Sequence, residues 1–238
     1  MMDRGKRMPS RVLIVDDESQ ITNALRLGLK AHQFDVRTAR DGTEALDTFR
    51  DFGPDLVITD LQMPEMSGLE LCVELRKISK VPIIVLSVRG EERTKVAALE
   101  SGADDYVTKP FGMEELVARI RAILRRAPND RLDNYIEIGD FVVDVERHLV
   151  RVRGAEVRLT PKEFDLLHHM IKHPGRVLTH RSILSAIWGP NYSEQIEYLR
   201  VFLGNLRKKI ELDPARPEYI RTEPWVGYRF VPDHNESL

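Results

Sequence analysis

The sequence predicts two domains of different class: an α/β domain built on a parallel sheet, then a winged helix-turn-helix. Three observations lead there. Five short apolar runs alternate with five amphipathic segments through the first half, the pattern of a parallel sheet with helices on both faces. Beyond residue 134 the alternation stops, and short paired strands, three helices and a terminal hairpin follow. Chemically capable side chains stand at the carboxyl ends of the apolar runs, where open α/β sheets bind ligands.

The first run, residues 12–15, reads Val-Leu-Ile-Val, and residues 19–31 then place Ile21, Ala24, Leu25, Leu27 and Leu29 near a 3.6-residue period. The cycle recurs at 35–39 with 43–52, at 56–59 with 69–78, and at 82–86 with 92–101. The last round is 106–108 with 113–126. Strands this continuously apolar are buried on both faces, as in parallel sheets. These units set a first domain at 10–126 and a linker at 127–134, where periodicity disappears among Pro128, Asn129 and charged residues. The second domain spans 135–234. Residues 135–145 and 148–159 read as antiparallel strands with turns at Gly139-Asp140 and Arg153-Gly154. Thr160-Pro161-Lys162-Glu163 supplies an N-cap, a first-turn proline and a capping-box glutamate for a helix reaching about His173. A second helix opens at Thr179 or His180 and ends at Gly189-Pro190; a third spans about 193–212. A hairpin of 219–222 and 228–231 turns around Pro224-Trp225-Val226-Gly227.

Composition narrows the function classes. The chain has 238 residues, 42% of them apolar, enough for two cores. No apolar run approaches the roughly 18 residues that cross a bilayer, and the charged start lacks the apolar core of a secretory signal, so no membrane partner is expected. Cys72 is the single cysteine, which excludes an internal disulfide and fits the cytoplasm. Net charge is −2, so any DNA-binding surface must be local.

Asp60 ends the third apolar run, Asp16 and Asp17 follow the first, Ser87 ends the fourth and Lys109 the fifth. If the strands are parallel neighbours, three acids and one base share an edge. Such a set suits Mg²⁺ and a phosphoryl group: Asp17, Asp60 and the backbone carbonyl of Gln62 as ligands, Asp16 holding a metal-bound water. Lys109 then acts as a point charge toward a phosphoryl oxygen, and Ser87 offers a hydroxyl to another. Pro110 follows Lys109 directly, a position suited to a cis peptide.

Asp16-Asp17, the turn Asp60 to Met63-Pro64 and Gly68, Ser87, Tyr106 and Lys109-Pro110-Phe111 together resemble the receiver domain of bacterial two-component response regulators. The resemblance implies a flavodoxin-like, CheY-like sheet of order 2-1-3-4-5 and phosphorylation of Asp60 by a sensor histidine kinase with Mg²⁺. It also implies a switch pair, Ser87 and Tyr106. In the second half, Thr160-Pro161-Lys162-Glu163-Phe164, Trp188-Gly189, Leu206-Arg207-Lys208-Lys209-Ile210 and Gly227-Tyr228-Arg229-Phe230 resemble the effector domain of the OmpR/PhoB regulators. Trp188-Gly189-Pro190-Asn191, Gly204 and Asp213-Pro214-Ala215-Arg216-Pro217 resemble more narrowly the branch controlling potassium-uptake operons.

The expected function is therefore phosphorylation-controlled transcription regulation rather than dedicated enzymology, with double-stranded DNA and RNA polymerase as partners. Arg200 and Arg207, two turns apart on the third effector helix, are expected to read bases, and Lys208 and Lys209 to touch phosphates. Where many relatives carry Arg-Gly in the wing this chain has Pro224-Trp225, leaving Arg221 or Arg229 for phosphates and Trp225 either to pack on the sugar-phosphate backbone or to stiffen the hairpin. The resemblance further implies a homodimer through the fourth helix, fifth strand and fifth helix. It would pair Lys95 with Glu115, Asp104 or Asp105 with Arg119, and Glu100 with Arg121. Two other classes compete: an aspartyl-nucleophile phosphohydrolase, disfavoured because Gln62 stands where a proton-donating acid belongs, and a regulator whose output binds protein. His168, His169 and His173 lack a neighbouring Cys or acid at ligand spacing, so a core-edge role is expected for them.

Overall fold

The computed structural model describes residues 9–88, 92–124 and 135–233, and the chain divides into two compact units, Met1–Arg125 and Arg126–Leu238. The expected linker, 127–134, lies outside the described residues.

In the first unit the strands are β1 (Arg11–Val15), β2 (Asp35–Ala39), β3 (Leu56–Asp60), β4 (Ile83–Val88) and β5 (Asp105–Lys109). They form one parallel sheet in the order β2-β1-β3-β4-β5. The connecting helices are α1 (Ser19–Ala31), α2 (Gly42–Phe52), α3 (Gly68–Ile78), α4 (Glu92–Glu100) and α5 (Met113–Leu124). β3 is buried along its whole length, which is why its first three residues, Leu56, Val57 and Ile58, are all apolar. Leu25 and Leu29 of α1 join Leu116, Val117 and Ile120 of α5 against Val12, Ile14 and Ile58 of the sheet. On α3, the Ser67 hydroxyl and the Glu70 carboxylate form a reciprocal capping box that starts the helix directly after the β3 turn.

Asp104, expected on a dimer surface, belongs instead to the interior. Its side chain is wholly buried, pairs with Arg76 at 2.7 Å and accepts the Ile83 N–H at 2.9 Å. Arg76 also donates to the carbonyls of Val81 and Gly102, so one guanidinium ties the end of α3 to the approach of β4 and the turn before β5. A carboxylate so enclosed keeps its partner, because separating them strands a charge in the core.

The second unit opens with a four-stranded antiparallel meander, β6 (Tyr135–Ile138), β7 (Phe141–Asp144), β8 (Leu149–Val152) and β9 (Ala155–Val157). Three helices follow: α6 (Pro161–Ile171), α7 (His180–Ile187) and α8 (Ile196–Ile210). The expected Thr160–Glu163 capping box starts α6. That helix ends two residues before His173. α8 starts three residues later than the period predicts, because Pro190–Tyr192 form a 3-10 turn and Gln195, at ψ 58°, is not helical. Strands β11 (Ile220–Glu223) and β12 (Gly227–Phe230) make the hairpin. β10 (Val177–Thr179), a third strand the sequence did not disclose, pairs with β12. Three residues are too few for a period-2 signal; pairing alone makes them a strand.

Candidate functional site: an acidic sheet edge and a basic helix face

Register assembles the first site. Val15 of β1 lies opposite Thr59 of β3, so Asp16 and Asp60 leave adjacent strands side by side. β1 and β3 flank the point where strand order reverses, the crevice position of doubly wound sheets. Lys109 lies opposite Val88 while Asp60 lies opposite Leu86, two residues back. The lysine's long stem covers that offset, and its ammonium stands 2.9 Å from Asp16 Oδ2 and 2.9 Å from Asp60 Oδ1. All three side chains are largely buried. Burial alone pulls the Lys109 ammonium down, but its hydrogen bonds to Asp60 and Asp16 and their charges outweigh that and hold it above its ordinary value. The Lys109-Pro110 peptide is cis, as expected.

The turn after β3 presses onto the site. A Cβ on Gly68 would stand 2.0 Å from the Asp60 carbonyl oxygen, so only glycine lets α3 begin against that strand end. Thr59 donates its hydroxyl to the same carbonyl at 2.9 Å. Sequence reasoning found Gly68 as part of a turn but missed Thr59; its one signal is a polar residue inside an apolar strand. Ser87 is buried and donates to the Val88 carbonyl at 3.1 Å, and the Tyr106 ring is buried, 5% exposed. Asp17 is exposed beside the buried pair. Among the described residues no group of three or more Asp, Glu, His or Cys stands gathered as a metal cage.

The second site is the outer face of α8. Its packed stripe is Tyr198, Leu199, Phe202, Leu203, Leu206 and Ile210, all buried. Arg200 and Lys208 are exposed, and Arg200 pairs with Glu197 one turn earlier. The other three predicted contacts are held within the unit. Arg207 does not stand beside Arg200 for base reading: its guanidinium donates to the Ile220 carbonyl (2.6 and 3.1 Å) and the Thr222 hydroxyl (2.9 Å) and lies over the Tyr228 ring. Burial lowers its pKa, and the cause of its placement is position: it borders the packed stripe facing β11. Lys209 pairs with buried Glu163 at 2.5 Å, and Arg229 pairs with Glu223 at 2.7 Å and donates to the Gly175 carbonyl. Glu211, just past α8, accepts the N–H groups of Glu218, Tyr219 and Ile220. Helix and wing are thus fastened from both sides of one turn.

Trp225, at the wing tip, is 99% exposed with φ of +65°, and Val226 beside it is 48% exposed. The Val226 N–H bonds the Glu223 carbonyl across the turn. Among the described residues of its own unit the almost wholly exposed indole has no packing partner, so its ring does not stiffen the hairpin by packing.

On the proposed dimer face, Arg119 pairs with Glu115 (2.6 Å) and Asp105 (3.4 Å) of its own chain, and Asp105 is nearly buried. Glu100 and Arg121 are exposed, and Lys95 is half-buried.

Comparison with known proteins agrees with both halves. Residues 12–121 match the family model of the response regulator receiver domain, and residues 154–230 match that of the C-terminal domain of transcriptional regulatory proteins. The chain is 44% identical over 221 residues to the transcriptional regulatory protein KdpE of Mycobacterium tuberculosis, covering 92% of this chain and 98% of that protein. Among solved structures, a point variant of RitR aligns with a TM-score of 0.75 at 26% identity over 93% of this chain and 98% of that one. The Thermotoga maritima OmpR/PhoB homologue DrrB aligns at 0.51 with 29% identity, covering 94% and 100%. No helix among the described residues is long and apolar enough to cross a membrane. With a receiver-type sheet edge in one unit, a winged-helix region in the other and relatives matched along nearly the whole chain, this protein belongs to the OmpR/PhoB-type response regulators, which are DNA-binding regulators of transcription.

Proposed function

We propose that Asp60 is the phosphoacceptor of this regulator and that a sensor histidine kinase supplies the phosphoryl group. The observation carrying this reading is the ammonium of Lys109, 2.9 Å from carboxylates on two adjacent strand ends. It holds Asp60 at the crevice and stands ready to meet the charge of a phosphoryl group added there. Receiver domains generally use Mg²⁺, and the donor set here fits in kind: hard oxygen ligands from Asp16, Asp17, Asp60 and the Gln62 carbonyl. When bound, the ion neutralises charge on the phosphoryl oxygens. Ser87 must leave the Val88 carbonyl to reach a new acceptor, and Tyr106 already lies inward, so these two form the switch.

The boundaries of this reading are a receiver at 10–126, a linker at 127–134 and an effector at 135–234, with the protein in the cytoplasm. Phosphorylation favours a dimer through the α4–β5–α5 face, with Lys95, Glu100, Glu115 and Arg121 at its edge and Arg119 and Asp105 exchanging partners across it. Paired effector domains then engage adjacent half-sites, Arg200 toward bases and Lys208 toward phosphates, with RNA polymerase as the downstream partner. The 44% identity to KdpE makes a potassium-uptake operon the target to test first. Genomic footprinting with and without a small phosphodonor tests the whole: phosphodonor-dependent protection upstream of potassium-transport genes is expected, and protection elsewhere only would move the regulator to another operon.

A further inference from the structure

Among the described residues two glycines lie in helix interiors rather than at a helix start, and they differ in what surrounds them. Gly28 of α1 lies against a neighbour: a Cβ there would stand 2.4 Å from the end of the Met113 side chain, which would have to shift. Gly204 of α8 has none. A Cβ built on it meets nothing within 4 Å. Glycine in a helix interior weakens the helix relative to alanine, so within the folded unit alanine would serve better at 204. Its φ is ordinary, so no special backbone conformation demands glycine either.

The position of Gly204 answers what the fold does not. It lies two turns after Glu197 and one turn before Lys208, opposite the buried stripe of Leu199, Leu206 and Ile210. Exposed Arg200 stands one turn before it. At half-buried Gly204 the helix therefore has no side chain at the centre of its outward face, and an exposed cation stands on either side.

We propose that Gly204 is a specificity-determining residue of the DNA interface, the point where the α8 backbone comes closest to the duplex. Without a side chain, the helix seats deeper in the major groove, and Arg200 and Lys208 reach bases and phosphate from that depth. A methyl group would stand between helix and DNA and push both cations back together. This rests on the reading that α8 is the groove-entering helix. Glycine is kept at 204 for the complex, at the expense of the free protein.

The test uses the full chain, treated with a small phosphodonor, and a duplex selected by the wild-type protein from a random-sequence pool. Gly204→Ala and Gly204→Leu are compared with Arg200→Ala and Lys208→Ala by fluorescence anisotropy at one salt concentration. Gly204→Ala is expected to raise the thermal midpoint of the effector domain by about 3–6 °C. It is also expected to weaken duplex binding on the order of tenfold, with Gly204→Leu weaker again. Wild-type affinity in Gly204→Ala, beside losses in the two cation variants, would overturn the role of Gly204 and leave the helix assignment standing. Wild-type affinity in all four variants would overturn the helix assignment as well. A lowered midpoint together with lost binding would also sink the inference, since the glycine would then serve the fold.

Discussion

Lys109 joins a stabilising ion pair to the proposed phosphoryl site in one residue. It stands between Asp16, whose side chain is wholly buried, and Asp60, and it cancels charge that the sheet edge could not otherwise enclose. Replacing it with alanine leaves two neighbouring carboxylates uncompensated, and breaking a buried pair this way costs about 3 kcal/mol or more. Chemical denaturation followed through receiver-domain signals checks this; a loss under about 1 kcal/mol would mean that water screens the pair. Asp60→Asn removes the acceptor oxygen while leaving Lys109 its bond to Asp16. That variant is expected to fold and to take no label from a small phosphodonor in Mg²⁺, and normal labelling would put the acceptor elsewhere. Trp225 is the effector's counterpart, a bulky residue at φ +65° whose side chain is almost wholly exposed. Left-handed backbone costs a non-glycine residue about 1–2 kcal/mol. Trp225→Gly is therefore expected to stabilise the free domain by about 1 kcal/mol, and, if the exposed indole meets the sugar-phosphate backbone as proposed, to weaken duplex binding. Unchanged affinity would leave the indole without a role in the complex.

At the scale of elements, α8 and the wing act as one piece. Arg207 bonds β11, and Glu211 collects three N–H groups from its approach. Arg207→Ala is expected to lower affinity for all duplexes by a similar factor, since it loosens the wing. Arg200→Ala is expected to relax sequence preference instead. Selection from a random pool separates the two, and an Arg207→Ala variant with altered preference would make that arginine a base reader after all. α6 carries a pH dependence. Burial, then the charges of Lys172 and His173 respectively, hold His168 and His169 below the ordinary imidazole value of 6.5. In the window below 6.5 the unfolded chain therefore binds protons that the folded one does not. The stability these residues contribute is complete above that value and is lost as pH falls through the window. The chain's two tryptophans, Trp188 and Trp225, both lie in the effector, so their fluorescence reports that unit alone. Its urea midpoint is expected to fall between pH 7.5 and 5.5, and less steeply with both histidines changed to glutamine; equal slopes would reject the assignment.

For the whole molecule, the two units carry complementary duties, and phosphorylation at one is expected to change the oligomeric state that presents the other. In the proposed switch, adding about −1.5 to −2 charge at Asp60 would act through Ser87 and Tyr106 on the adjacent β5 face. Sedimentation of the full chain is expected to shift from monomer toward dimer with phosphodonor, and the shift should be absent in Asp60→Asn. Dimer formation by that variant to the same extent would uncouple self-association from the acidic edge.

Much of this was legible in advance, for local reasons. The five β-α units, the α6 capping box and the wing hairpin follow from period, caps and turn residues, each set by neighbours a few positions apart. The acidic edge followed too, because a parallel sheet brings its strand ends together by construction. Partner choice was not legible. Asp104 read as surface charge until Arg76 enclosed it, and Arg207 read as a groove-facing arginine until β11 claimed it. Lys109 meets Asp16 across 93 residues and Lys209 meets Glu163 across 46. The sequence by itself determined the class of each domain, the chemistry of its edge and the family. Only the tertiary structure decided which charge meets which, which helix face stays bare and which aromatic stays in water, because those depend on contacts between segments that no local pattern encodes.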